Sequence, residues 1–172
     1  MLKNVEKFGI NDKRGRVRTS EDPYLPAEGL KENTICTDCH AIYRGKHWLL
    51  DEKSFAGLEQ NPRTLRVSCP ACQKVADRYP EGIVTLTGGY LWEHEQEIRN
   101  ILSKEEQKAF NRNPMERTIR MDRSGDAMVI ETTEEKLAEH LGRALHRAHQ
   151  GKLDITWARE QGVCRVSWQR MN

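Results

Sequence analysis

Two pairs of cysteines have the residue type and spacing of a metal site. Cys36 with Cys39, and Cys69 with Cys72, each form a C-x-x-C turn. Two thiolates of one such turn can bind the same ion at about 2.3 Å, and two turns complete a tetrahedron. The 29 residues between the pairs exceed the usual separation of about 15–20 residues, but all four ligands are present. The pattern predicts a structural Zn²⁺ site with no open position for water or substrate.

Three other chemistries use the same cysteines. Residues 36–40 also match C-x-x-C-H, the attachment motif of c-type haem, which requires export of the chain. Cys69 and Cys72 alone match a redox dithiol, although the thioredoxin context of a strand that leads directly into a long helix is not indicated. An iron–sulfur cluster takes the same four thiolates, so the sequence does not separate it from zinc.

The histidines and the fifth cysteine have less specific settings. His40 and His47 lie close to the first pair and could replace a thiolate, but with four thiolates available we favour positions outside the ligand set. Cys164 alternates with valines in a strand pattern and is expected to be a buried small apolar side chain. Three more histidines are interpreted as side chains on solvated helix faces: His94, His146 and His149.

Composition and the first residues limit the class of protein. With 172 residues, 37% hydrophobic and 31% charged, the chain suits one domain, or a small metal-stapled module joined to a domain of roughly 90 residues. No apolar run approaches the ~20 residues that span a bilayer, and the first twenty residues lack the apolar core of a secretory signal. We therefore expect a cytoplasmic protein without membrane contact, whose cysteines stay reduced.

Residues 1–20 are strongly basic, with six Lys or Arg against two acidic residues. We interpret this segment as a flexible arm that lies along a phosphate backbone and releases counterions; a solvated tail is the alternative. Tyr43 and Trp48 are candidates for stacking on bases, although Trp48 equally suits a core position beside the metal. The expected RNA-binding residues are Lys13, Arg14, Arg16, Arg18, Arg44 and Lys46.

The region after Cys72 alternates strand and helix patterns, which have periods of 2 and 3.6 residues. Thr133 is expected to cap the second long helix. The insertion between the cysteine pairs is expected to form a hairpin arm or a short helix. The predicted elements are a strand at 82–87, a helix at 90–112, a hairpin of strands at 117–123 and 126–132, a helix at 134–150, and strands at 153–159 and 163–168.

These elements predict an α+β protein with three parts. A basic N-terminal arm and linker occupies residues 1–32, a four-cysteine zinc-ribbon module residues 33–80, and a ferredoxin-like β-α-β-β-α-β(-β) sandwich residues 81–172. Such a sandwich packs two helices on one face of its sheet. The other face is left open for a partner, as in several RNA-binding modules.

Two further segments, 82–89 (GIVTLTGG) and 125–130 (GDAMVI), follow the cysteine pairs in a recognisable order. With them, residues 33–150 resemble a small bacterial zinc-ribbon family, which is itself similar to the N-terminal part of the archaeal and eukaryotic large-ribosomal-subunit export adaptor. The resemblance implies zinc at the four cysteines and docking on the ribosome through ribosomal RNA. The adaptor has more cysteine pairs, and its export signals have no counterpart here, so a transport role is not implied.

The leading functional hypothesis is a cytoplasmic, ribosome-associated, RNA-binding zinc protein that acts as a hibernation factor in dormancy or stress. The sequence contains no nucleophile elbow, no phosphate-binding glycine loop and no zinc-protease motif. We therefore expect no enzymatic activity and no small-molecule substrate. The alternatives are a protein-interaction or regulatory adaptor that uses the open sheet face without RNA, and a redox carrier.

Overall fold

The computed structural model describes residues 23–24, 29–158 and 160–172. In this part the chain is a mixed α/β protein with two sheets and five helices. None of these helices combines the length with the apolar character that crossing a membrane requires. The predicted basic arm lies outside the described residues, and with it four of the expected RNA-binding residues: Lys13, Arg14, Arg16 and Arg18.

The cysteine-containing region forms a small sheet with one helix. Its elements are β1 (Thr34–Cys36), β2 (Ala41–Arg44), β3 (His47–Leu50), α1 (Glu52–Gln60) and β4 (Arg66–Val67). The strand order is β3-β2-β1-β4, with β4 parallel to β1 and the other pairs antiparallel. Gly45 and Lys46 both have positive φ, as the two-residue turn of the β2–β3 hairpin requires. The insertion therefore contains both a hairpin and a helix.

The remaining chain forms a larger sheet covered by helices. The predicted strands and the predicted helix at 134–150 are confirmed here, with most boundaries shifted by one or two residues. The elements are α2 (Pro70–Asp77), β5 (Gly82–Thr87), α3 (Gly89–Glu93), α4 (Glu95–Arg112), β6 (Thr118–Ser124), β7 (Ala127–Thr132), α5 (Glu135–His149), β8 (Lys152–Ala158) and β9 (Val163–Gln169).

The five strands of the larger sheet have the order β6-β7-β5-β9-β8. β9 is parallel to β5, and every other neighbouring pair is antiparallel. In a simple ferredoxin-like sheet the strand after the second helix lies beside the first strand. Here β9 occupies that place and β8 lies at the edge, because the final hairpin pairs with β5 through its second strand. The predicted order along the chain is present, but the place of the added strand differs from the simple arrangement.

Two details of the helices correct the sequence interpretation. The single helix predicted at 90–112 is divided at His94, where the backbone leaves helical geometry between α3 and α4. Thr133 does not cap α5, because Glu134 holds the cap position without a side-chain hydrogen bond. The hydroxyl group of Thr133 instead donates to the carbonyl oxygen of Met115 at 2.6 Å. It therefore ties the start of α5 to the segment before β6.

The main core lies between the helices and one face of the larger sheet. Alternate residues of β5, β7 and β9 point into it, as the period of a strand dictates. Cys164 is among them with 0% exposure, which confirms its expected role as a buried apolar side chain. The fully buried apolar side chains of this core include Val84, Leu86, Leu91, Ile98, Met128, Ile130, Leu137 and Trp168.

α5 packs closely against the sheet at Gly142. A Cβ atom at this position would clash with Val166 Cγ1 and lie 3.1 Å from Leu153 Cδ1. Val166 is itself 2% exposed and cannot easily move aside. The absence of a side chain at Gly142 therefore permits this close packing of helix on sheet.

We expect Gly142→Ala to destabilise the protein by about 1–3 kcal/mol, because it overpacks a filled core. Gly57→Ala is the matched control, since Gly57 also lies inside a helix but has open space around its Cα. That substitution should stabilise by roughly 0.5–1 kcal/mol through helix propensity. Thermal and urea unfolding would compare the two variants, and equal effects would contradict the close approach of α5.

Candidate metal centre

Strand pairing brings the two cysteine pairs together. Cys36 ends β1, and its register partner in the parallel strand β4 is Val67, two residues before Cys69. Cys39 lies in the turn that follows β1. Cys69 is the N-cap of α2, and Cys72 lies in the first turn of that helix. The insertion separates the pairs in sequence only, because β4 returns the chain alongside β1.

The four sulfur atoms form a compact group in which all lie within 4.8 Å of one another. The distance between the sulfurs of Cys36 and Cys72 is 3.8 Å, and that between Cys39 and Cys69 is 3.7 Å. A tetrahedral ion with bonds of about 2.3 Å has sulfur–sulfur edges of about 3.8 Å. Among the described residues, no two cysteines are joined as a disulfide. The four are therefore close enough to bind one metal ion.

Because the cysteine sulfurs are largely buried, deprotonating all four of them costs free energy unless a cation is bound. Cys36 and Cys69 are 0% exposed. Hydrogen bonds with Cys39, Cys69 and Cys72 lower the pKa of the Cys36 thiol, whereas hydrogen bonds with Cys36, Cys39 and Cys72, together with burial, raise the pKa of Cys69. The pKa of Cys72 is likewise lowered and that of Cys39 raised, so proton loss at some of the thiols is coupled to proton retention at the others. A divalent cation at the centre removes that conflict, because it stabilises all four thiolates together.

The spacing also bears on the alternative cofactors. In iron–sulfur clusters the cysteines bind different irons joined by inorganic sulfide, which spreads the four sulfurs more widely than a shared ion does. Attachment of c-type haem uses Cys36 and Cys39 alone, whereas here Cys69 and Cys72 lie against them. A redox dithiol likewise needs one pair only. The convergence of both pairs favours a single ion.

The two histidines near the first pair do not belong to the group that could hold a metal. His40 stacks on Phe55 with ring centroids 4.1 Å apart, and its Nδ1 lies 3.4 Å from Glu52 Oε2. His47 is exposed at the start of β3, opposite Arg44. Neither imidazole therefore lies among the four sulfurs, and the exclusion of both from the ligand set stays a prediction.

The described residues include two of the predicted RNA-binding side chains. Arg44 donates from Nε to Asn33 Oδ1 at 2.7 Å, so its guanidinium group is held within its own module. Lys46 is exposed in the turn between β2 and β3. Trp48 packs against the cysteine cluster, and Tyr43 meets its ring edge-on at 5.4 Å. Of these side chains, Lys46 is the one most available to a partner.

His149, which the sequence interpretation placed on a solvated helix face, is buried. It is 8% exposed, and its Nδ1 lies 2.9 Å from the hydroxyl oxygen of Tyr90. His94 stacks on the same tyrosine, with ring centroids 3.8 Å apart. Desolvation lowers the pKa of His149. The prediction was wrong here because helical periodicity does not reveal that α3 folds over the end of α5.

Sequence reasoning also missed a buried lysine that docks α2 on the larger sheet. Lys74 is 2% exposed, and its Nζ lies 2.7 Å from Glu81 Oε1 and 3.7 Å from Glu134 Oε1. It also donates to the carbonyl oxygen of Thr133 at 3.4 Å. Lysine is rarely buried without charged partners of this kind. We call the part formed by β5 to β9 with α3, α4 and α5 the α/β unit. The helix α2, which supplies Cys69 and Cys72, is thus held on this unit by an ion pair.

Comparison with protein-family models, with curated proteins and with solved structures found no match to this chain. The interpretation of the cysteine cluster therefore depends on its own geometry. The resemblance to zinc-ribbon proteins stays a prediction.

Substituting serine for Cys36, Cys39, Cys69 or Cys72 should abolish tight metal binding, because each change removes one of four ligands. Cys164→Ser is the control, since this thiol lies in the main core and not in the cluster. It should lose some stability but keep the metal. Elemental analysis of the purified variants would measure metal per chain. A full metal content in all four cluster variants would contradict the site.

Replacing Lys74 by methionine should destabilise the protein by about 3–5 kcal/mol, because two mostly buried carboxylates lose their shared cation. Lys152→Met is the control, since Lys152 pairs with Asp154 at 3.3 Å but is 74% exposed. Its substitution should cost less than about 1 kcal/mol. Urea unfolding of both variants tests the difference, and a small effect at Lys74 would show that α2 does not depend on this ion pair.

Proposed function

We propose that the protein is a zinc-containing RNA-binding protein that associates with the ribosome. The observation that carries this proposal is the meeting of four cysteine sulfurs in one site, which provides an ion with a full set of protein ligands. An ion with four thiolate ligands has no open position and stabilises a fold without reacting. The proposed activity is therefore binding, with neither catalysis nor a small-molecule substrate.

Zinc is the proposed ion because four thiolates in a tetrahedron suit Zn²⁺, and the sulfur distances of 3.7 and 3.8 Å suit one ion. A cytoplasmic location is proposed with it, since a reducing compartment keeps thiolates available as ligands. For the larger unit we propose a ferredoxin-like sandwich in which one added strand, β9, is inserted between β5 and β8. Its order of elements along the chain and the packing of α4 and α5 on one sheet face support that assignment.

Ribosomal RNA is the proposed partner because residues 1–20 carry a net side-chain charge of +4, from six basic and two acidic residues. Such a segment gains affinity by neutralising phosphates and releasing counterions. Lys46 adds an exposed cation on the metal-bearing module. The resemblance to the ribosomal export adaptor supports the large subunit as the docking site. Occupation of the ribosome in dormancy or stress is the proposed physiological role.

A regulatory adaptor that binds protein is the second candidate, and the open face of the larger sheet favours it. The central positions of this face carry Ile83, Thr85, Val129 and Ser167, none of them aromatic. RNA-binding sheets of this architecture stack bases on aromatic side chains. The outer positions balance three basic and three acidic residues, namely Arg120, Lys152 and Arg165 against Asp122, Glu131 and Asp154. A flat, neutral surface of this kind suits a protein partner better than RNA.

Neutralising the basic segment should weaken ribosome binding and its salt dependence. If Lys13, Arg14, Arg16 and Arg18 each neutralise one phosphate, changing them to glutamine should reduce the slope of log affinity against log salt by about 3. Co-sedimentation of the full chain with purified ribosomes over a salt series would measure this slope.

The control for that experiment removes the same number of charges elsewhere, in the variant Lys53→Gln, Lys104→Gln, Lys136→Gln and Arg147→Gln. Its salt slope should stay close to that of the unmodified protein. If neither set of substitutions changed the affinity for ribosomes or its salt slope, the result would favour the adaptor that uses the sheet face. A protein free of ribosomal particles at low salt would overturn the proposed function.

A further inference from the structure

Two of the four cluster sulfurs receive hydrogen bonds from backbone N–H groups beside the cysteines themselves. The N–H of Cys69 donates to Cys36 Sγ at 3.3 Å, and that of Cys72 donates to Cys69 Sγ at 3.4 Å. Donors of this kind stabilise thiolates, because they place partial positive charge against the sulfur.

The sulfur of Cys72 instead receives a hydrogen bond from the α/β unit. Arg117 Nη1 lies 3.4 Å from Cys72 Sγ. The backbone of Arg117 is fixed just before β6, where its N–H donates to Thr133 Oγ1 at 2.9 Å. The ring of Phe110 lies 5.4 Å from the guanidinium carbon. Arg117 is therefore placed by packing and hydrogen bonds that do not involve the cysteine module.

The negative charge of the metal centre makes a hydrogen bond from Arg117 stabilising. Four thiolates around a divalent cation carry a net charge of about −2, by counting formal charges. The guanidinium group of arginine stays protonated in proteins, so it supplies a permanent positive charge to one of these sulfurs. A hydrogen bond between a charged donor and a thiolate is stronger than one from a neutral backbone N–H group to a thiolate. Removing the Arg117 side chain therefore leaves the Cys72 thiolate without its cationic donor.

We propose that Arg117 completes the metal centre, as the residue that stabilises the Cys72 thiolate from outside the cysteine module. Retention of the ion and protection of Cys72 then depend on the α/β unit, which the buried Lys74 holds in place. The centre is thus composite, and displacement of one unit from the other weakens metal binding. This inference depends on the metal assignment, which the serine variants test separately, and is independent of RNA.

The test compares the zinc-loaded full chain with its Arg117→Met variant, after metal content has been measured for both. Zinc transfer to a chromogenic chelator should be roughly ten-fold faster in the variant, as is typical when a residue that supports a metal ligand is lost. Labelling with N-ethylmaleimide, mapped by mass spectrometry, should accelerate first at Cys72. Arg117→Lys keeps the positive charge but not the planar guanidinium group, so we expect its rate of zinc transfer to be intermediate. This variant replaces Arg117→Met in the test if the methionine variant folds poorly.

Arg120→Met is the matched control, because Arg120 lies three residues further along and pairs with Glu131 at 2.7 Å on the sheet face. It should leave zinc transfer and labelling unchanged. Zinc transfer at the unmodified rate in both Arg117 variants would overturn the proposal. Equal acceleration of labelling at all four cysteines would also overturn it, since that pattern indicates separation of the units and not loss of one hydrogen bond.

Discussion

The parallel pairing of β1 with β4 is the constraint on which the rest of the structure depends. It involves only two residue pairs, Ile35 with Arg66 and Cys36 with Val67. So short a ladder is weak by itself, yet it aligns two C-x-x-C turns so that their sulfurs meet. A bound ion would close the same loop through four strong bonds. Strand pairing and metal binding therefore support each other, and neither is expected to persist without the other.

The consequences extend beyond the small sheet, because α2 belongs to both units. Its first turn holds Cys69 and Cys72, and its next turn holds Lys74, which is buried against the start of β5 and of α5. Arg117 reaches back from the other side to the sulfur of Cys72. The junction thus contains charges of both signs in a poorly solvated region, where unpaired charges are costly. These paired charges therefore contribute to holding the two units together.

The surfaces available to a partner are those that do not take part in the cysteine cluster or in its packing. In the proposed zinc form, a closed shell of thiolates removes the metal from chemistry, so the proposed partners would be recognised by surfaces elsewhere on the molecule. Arg44 and Trp48 are largely committed to the packing of the cysteine module. The remaining candidates are the basic segment at 1–20 and the open sheet face, which differ in charge and in the partners they suit. A protein that uses both surfaces would join RNA to a protein partner.

The sequence by itself determined the local features: the cysteine turns, the strand at 82–87, the hairpin at 118–132 and the periodicity of α5. Each depends on residues a few positions apart, where spacing and turn chemistry suffice. Only the tertiary structure decided the place of β9, the burial of Lys74 and His149, and the contact between Arg117 and Cys72. Arg117 and Cys72 are 45 residues apart, and Lys74 and Thr133 are 59 apart. Contacts over such distances depend on how the sheets pair and pack, and no local pattern in the sequence specifies that.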